Sequence, residues 1–193
     1  MSNLLIIGAG GHGKVVAEAA EFQGKWTKIA FLDDRTDITH VFNFGIFGKL
    51  NDYVNFVAEF EFAFVAIGDN EKRLLWIDKL LDTGYKIPAV IHPGAYVSKY
   101  GLIGEGTVVL PGAVVNTNSR IGKGCIININ ACIDHDCEIG NGVHISSGAV
   151  VRSMSTVGRL SYIGAGSCVK TGACLAERFI LPDGKIAENQ TIL

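Results

Sequence analysis

The chain has 193 residues, room for one large or two small domains. Its 48% hydrophobic and 19% charged content suits a packed core and argues against disorder. A net charge of -2 without a basic block argues against nucleic acid or an anionic membrane as the main partner. The opening Met1-Ser2-Asn3-Leu4 lacks a basic n-region, its apolar run is too short for a signal peptide, and no stretch approaches bilayer length, so a cytoplasmic protein is expected.

The first 88 residues read as a small βαβ domain. Leu4 to Ile7 predicts a buried strand. The loop Gly8-Ala9-Gly10-Gly11-His12-Gly13-Lys14 follows, then a helical stretch from Val15 to Phe22. Ile29 to Leu32 predicts a second strand ending in Asp33-Asp34, and Phe62 to Ile67 a third, closed by Gly68-Asp69-Asn70-Glu71. A helix carrying Leu74, Leu75, Ile77, Leu80 and Leu81 completes the unit. Gly8, Gly10 and Gly13 match the dinucleotide fingerprint, with Asp33 about twenty residues on. Such glycines let the backbone approach a phosphate, and a helix N-terminus favours the anion.

The unit is short for two mononucleotide-binding halves, which favours one nucleotide-linked ligand over NAD. A tight turn without a ligand is the other reading of the loop. From Gly8 to Lys14 the Walker pattern is also nearly met. Valine stands where Ser or Thr would bind magnesium, which disfavours ATP hydrolysis.

Residues 89–193 carry a six-residue period. Its first positions run from Ile91 and Val97 through Ile133, Ile139 and Ile145 to Leu181, and all sixteen are aliphatic. The fifth position is mostly small, as at Ala113, Ser119, Cys137 and Ser155. Each hexad reads as one short strand plus a sharp turn, and three hexads close one coil. The first position must point inward and prefers β-branched residues; the fifth also points inward, near a corner. Glycine follows the first position at Gly104, Gly122, Gly140, Gly158 and Gly164, where it is expected to supply backbone freedom. The pattern predicts a left-handed parallel β-helix of about five coils, behind the half-Rossmann α/β domain.

The five cysteines include no Cys-x-x-Cys pair, so free thiols are expected rather than a zinc site. His135, between Asp134 and Asp136, follows inward Ile133 by two residues and should sit at a corner near the surface. A neighbouring carboxylate would set its tautomer and raise its basicity, as a general base requires; an ordinary surface histidine is the alternative. His144 admits two roles, a donor to a ligand carbonyl or the cap of a turn. His92, before Pro93, reads as structural, and Cys137 as core.

The Gly-x-Gly-His-Gly loop, Phe31-Leu32-Asp33-Asp34, Ala66-Ile67-Gly68-Asp69-Asn70-Glu71 and the hexads carrying Asp134-His135-Asp136 together resemble the bacterial UDP-4-amino-sugar N-acetyltransferases of the bacillosamine pathway. They are also similar to the perosamine N-acetyltransferases and sialic acid O-acetyltransferases.

The resemblance implies a homotrimer that binds acetyl-CoA between adjacent β-helices and needs no metal. It implies that His135 is the general base, that Asp136 tunes it, and that His144 lies near the thioester. It further implies acceptor contacts from Gly10, Gly11, His12, Asp33, Asp34, Gly68 and Glu71, and cofactor contacts from Ala165. Two departures stand out. Arg152-Ser153 replaces a small residue and a glycine whose N–H would bind the acetyl carbonyl, a contact Ser153 can still offer. The sequence given reaches Thr191-Ile192-Leu193 without the Gly-x-Pro-Ala-Lys segment usual near the CoA adenine.

The competing expectations are a sugar O-acetyltransferase, a zinc hydratase on the same fold, an NAD-dependent dehydrogenase and a non-catalytic nucleotide-binding protein.

Overall fold

The computed structural model describes residues 2–188, so residues 191–193 and the segment expected beyond them lie outside it. The chain divides into two compact units, Met1–Val90 and Ile91–Leu193.

The first unit is built on a parallel three-stranded sheet of order β2-β1-β5, from β1 (Ser2–Ile7), β2 (Trp26–Leu32) and β5 (Phe62–Val65). A small hairpin, β3 (His40–Val41) and β4 (Phe44–Gly45), and a 3-10 turn, Leu50–Asn55, lie between β2 and β5. Leu4–Ile7 of β1 and Ile29–Leu32 of β2 are buried, as a near-continuous apolar run in a parallel sheet requires. Helix α1 (Gly11–Gln23) begins four residues earlier than the apolar periodicity suggests, inside the glycine loop. Helix α2 (Asn70–Thr83) is N-capped by Asp69, whose carboxylate accepts the Lys72 N–H at 2.8 Å. Both helices stop at a glycine in the left-handed region, Gly24 and Gly84.

The second unit is the expected left-handed parallel β-helix. Its two-residue strands form three parallel sheets of six, five and six strands. Partners lie eighteen residues apart, as in Val115↔Ile133↔Val151. First-position side chains from Val109 to Leu181 fill the interior, and one further hexad with Ala187 extends it. Alanine at that place hides this repeat from an aliphatic pattern.

The small fifth positions do more than fit. Thr107 Oγ1 donates to Gly122 O at 2.8 Å and accepts the Cys125 N–H at 2.9 Å. Ser119 Oγ donates to Asp134 O and accepts the Cys137 N–H at 3.1 Å. These hydroxyls occupy corner backbone groups that burial would otherwise leave unpaired.

The glycine expectation needs correction. From Gly106 to Gly184 the left-handed backbone sits at the fourth position of each hexad, with φ between 56° and 72°. The glycines that follow the first position answer a different need. A Cβ on Gly158 would lie 2.4 Å from the backbone of Ala176 and Glu177 in the next coil, and one on Gly140 would lie 2.6 Å from Arg159 N. Close stacking of coils, rather than φ, excludes side chains there.

Two alanine substitutions test this distinction. Gly172 has φ +69 and open space around a Cβ, so Gly172→Ala should cost about 1 kcal/mol. Gly158→Ala must push two coils apart and should cost about 3 kcal/mol. Denaturant midpoints in the reverse order would contradict the assignment.

Candidate active site

The His135 corner joins strand Cys132–Ile133 to strand Glu138–Ile139. Asp136 takes the left-handed position, φ 58, which turns its carboxylate back onto the ring before it. His135 Nδ1 and Asp136 Oδ2 are 2.6 Å apart. A carboxylate only accepts, so Nδ1 donates and Nε2 carries the lone pair of the neutral ring. The hydrogen bond that His135 donates to Asp136, the largest cause, together with the charges of Asp134 and Asp136, outweighs desolvation and holds the imidazole above its usual value. Both side chains are about half exposed, at 46% each, so Nε2 can meet a solute.

Two donors reach the Asp134 carboxylate. Its Oδ1 accepts the His135 N–H at 2.8 Å and Asn116 Nδ2 at 3.2 Å. The His135 N–H leads in holding this acid below the usual carboxylate range. The Ser153 carbonyl accepts the Gly172 N–H at 2.9 Å. The N–H of Ala165 is already used. That group donates to Asp183 Oδ1 at 2.8 Å, and its carbonyl accepts the Gly184 N–H at 2.8 Å. A side chain one coil away satisfies this amide, and a single hexad gives no sign of it.

His144 lies elsewhere, on the outward face of a different sheet from the strands that bound the His135 corner. The Asn128 amide nitrogen is 3.3 Å from its Nε2, and Tyr162 stands edge-on at 5.2 Å. An amide nitrogen only donates, so Nε2 accepts and the ring proton belongs on Nδ1. One copy of the chain thus does not bring His135 and His144 together. His92 Nδ1 accepts the Gly94 N–H at 2.9 Å, the structural role anticipated for it, and Cys137 is fully buried. Among the described residues no group of three or more His, Cys, Asp or Glu could hold a metal ion.

In the first unit, Gly8 has φ +99, and a Cβ on Gly13 would lie 2.2 Å from Gly8 O, so the loop closes tightly onto α1. Gly10 and Gly11 face open space, and no side chain caps the N-terminus of α1. Its first-turn amides, His12 among them, suit an anion. Asp33 binds the loop from the next strand: Oδ2 accepts the Ala9 N–H at 2.7 Å, while Oδ1 accepts Arg35 Nε at 2.7 Å and the Arg35 N–H at 3.0 Å. Burial pushes this carboxyl up, but those hydrogen bonds, the Arg35 side chain first, hold it below the usual range. Asp34 Oδ1 accepts the Leu50 N–H at 3.0 Å.

Gly68 is also open, and Glu71 is exposed in the first turn of α2. Arg73 escaped the sequence reading because its spacing marks only a helix. It is 1% exposed and donates through Nη1 to Ile67 O at 3.0 Å and Gly68 O at 2.9 Å, and through Nη2 to Asn70 Oδ1 at 2.7 Å.

Residues 3–80 match the PglD N-terminal domain family, and residues 118–153 match the bacterial transferase hexapeptide (six repeats) family. The acetyltransferase domain of PglB from Neisseria gonorrhoeae FA1090 is 37% identical to the chain, with a TM-score of 0.95 over 100% of this chain and 94% of that one. The chain belongs to the hexapeptide-repeat acyltransferases. The same PglB domain in complex with acetyl coenzyme A is similar to this hexapeptide-repeat acyltransferase at 36% identity and a TM-score of 0.88, covering 100% and 99% of the two chains. PerB from Caulobacter crescentus, in complex with CoA and GDP-perosamine, is 31% identical with a TM-score of 0.90, covering 98% and 90%. A UDP-N-acetylbacillosamine N-acetyltransferase of Bacillus subtilis (strain 168) is 33% identical over 113 residues, 57% of this chain. That match spans about half of the curated relative's length, 52%.

The Arg73 clamp yields a measurable expectation. Arg73→Met leaves three acceptors without their donor and should lower unfolding stability by about 2–4 kcal/mol. An unchanged urea midpoint would show that the clamp contributes nothing.

Proposed function

We propose that this acyltransferase moves the acetyl group of acetyl-CoA to the amino group of a nucleotide-linked 4-amino sugar, with His135 as general base. The observation that carries the reading is the His135–Asp136 pair, with Nδ1 held at 2.6 Å and Nε2 directed outward. The solved relatives support the co-substrate and the acceptor class: one holds acetyl coenzyme A, another CoA and GDP-perosamine.

In the reaction, His135 Nε2 takes a proton from the sugar amine as nitrogen attacks the thioester carbon. The tetrahedral adduct collapses to the amide, the C–S bond breaks, and the proton leaves with the CoA sulfur. General base action contributes roughly a hundred- to ten-thousand-fold. The negative oxygen needs an N–H donor. The Ser153 N–H is assigned this role. Acceptor contacts are assigned to Gly10, Gly11 and His12 at the N-terminus of α1, with Asp33, Asp34, Gly68 and Glu71 on the neighbouring loops. In this reading Asp33 and Asp34 chiefly shape the loops, because their carboxylates are already bonded to the backbone.

A homotrimer completes the proposal. The outward face of one sheet stacks Tyr96, Val114, Cys132, Val150, Cys168 and Ile186 in register. The corresponding ladder of the sheet on the other side of the His135 corner, Leu102, Arg120, Glu138, Thr156 and Cys174, is polar in its middle. Covering the apolar face with a second copy would set one chain's His135 corner beside its neighbour and give His144, from another chain, access to the same thioester.

His135→Ala should retain acetyl-CoA binding in a calorimeter and lose turnover by about a hundredfold or more, read as free thiol released in the presence of a UDP- or GDP-linked amino sugar. Undiminished turnover would end the base assignment. A base must be neutral, so activity falls as pH drops through the raised His135 value. Asp136→Asn removes the main cause of that rise, and the acid limb of kcat/KM should move to lower pH. A limb that stays in place, or moves up, would contradict the role given to Asp136.

A further inference from the structure

The His135 corner is stacked, coil on coil, beneath the turn Asn116–Ser119. Asn118 occupies the same fourth position as Asp136, eighteen residues earlier, with the same φ of 58. Its Nδ2 donates to Asp136 Oδ1 at 2.6 Å, while Asp136 Oδ2 faces His135 Nδ1 at 2.6 Å. One carboxylate is therefore gripped at both oxygens, by an amide from the preceding coil and by the imidazole. An Asp–His pair as exposed as this one is weakly ordered alone, because each side chain gives up rotamer freedom to hold the other. Asparagine meets two demands here: it tolerates the left-handed backbone, and it supplies an N–H donor.

We propose that Asn118 is a positioning residue, the third member of a relay Asn118–Asp136–His135 that fixes the carboxylate on Nδ1 and leaves Nε2 as the basic nitrogen. This rests on the reading of His135 as base. The charged groups around the ring are few. Asp134 and Asp136 lie on its own turn, and Arg152 lies on the turn one coil later. The turn one coil earlier carries none, and Lys99 and Lys170 stand two coils away. The hydrogen bond from Asn118 leads the causes that hold Asp136 below the usual carboxylate range, ahead of His135 itself.

Two variants separate positioning from mere turn formation. Asn118→Gly keeps the left-handed turn and removes the donor. Asn118→Asp keeps the shape and sets a second negative charge against Asp136. The ring signal of His135, identified by its loss in His135→Asn, is titrated by NMR, and kcat/KM is measured across the same pH range. With Asn118→Gly the imidazole should titrate at lower pH, by about half a unit, and with Asn118→Asp at higher pH by a similar amount. Asn118→Gly should also lower kcat about fivefold with both KM values within twofold. Ring titrations that coincide with wild type in both variants, or that move in the same direction, overturn the proposal. If the ring moves as expected while the acid limb of kcat/KM stays fixed, the relay stands and the base reading fails.

Discussion

The structure depends on one repeated contact: a backbone N–H in one coil bonds to a carbonyl seventeen residues later, in the next. Val114 N to Ala131 O and Cys132 N to Ala149 O, both 2.9 Å, belong to one such ladder. Because three hexads close a coil, every side chain lies over its counterpart eighteen residues on. Aliphatic first positions fill the interior, and burial of that column drives closure. The same registry sets the corners. Ser119 over Cys137 pairs the buried backbone, and Asn118 over Asp136 aims a carboxylate at His135. Chemistry and stability share one geometric rule, so a substitution that moves a coil moves the site.

A rigid corner suits acyl transfer. The imidazole stands on a two-strand turn rather than a long loop, and its tautomer is set by a neighbour one residue away. Some backbone amides are already satisfied, as at Ala165 by Asp183. A ligand that uses one must replace an existing hydrogen bond, so the net gain from each such contact is modest. In the proposed reaction, specificity for the acceptor falls instead on the first unit, where Gly10, Gly11 and Gly68 present open backbone and Arg73 stiffens the loop after β5.

The hexad column and the glycine loop were legible in the sequence because each rests on a local pattern: branched aliphatics every sixth residue, and glycines before a helix. His135 was legible because its carboxylate partner is the next residue. Asn118 and Arg73 were not. Asn118 acts across eighteen residues, and Arg73 looks like any charge on a helix until its burial is known. The glycines after the first position were visible but misread, since open backbone and close packing demand the same residue. Ala187 continues the column with too small a side chain to count as a repeat.

The central claim is that an outward imidazole nitrogen at a β-helix corner receives the acceptor's proton. A crystal structure of the chain with CoA and a nucleotide-linked amino sugar tests it most directly. The account predicts the sugar nitrogen within about 3.2 Å of His135 Nε2, with the CoA sulfur beside it. An amine lodged against another group, with His135 open to solvent, would contradict it.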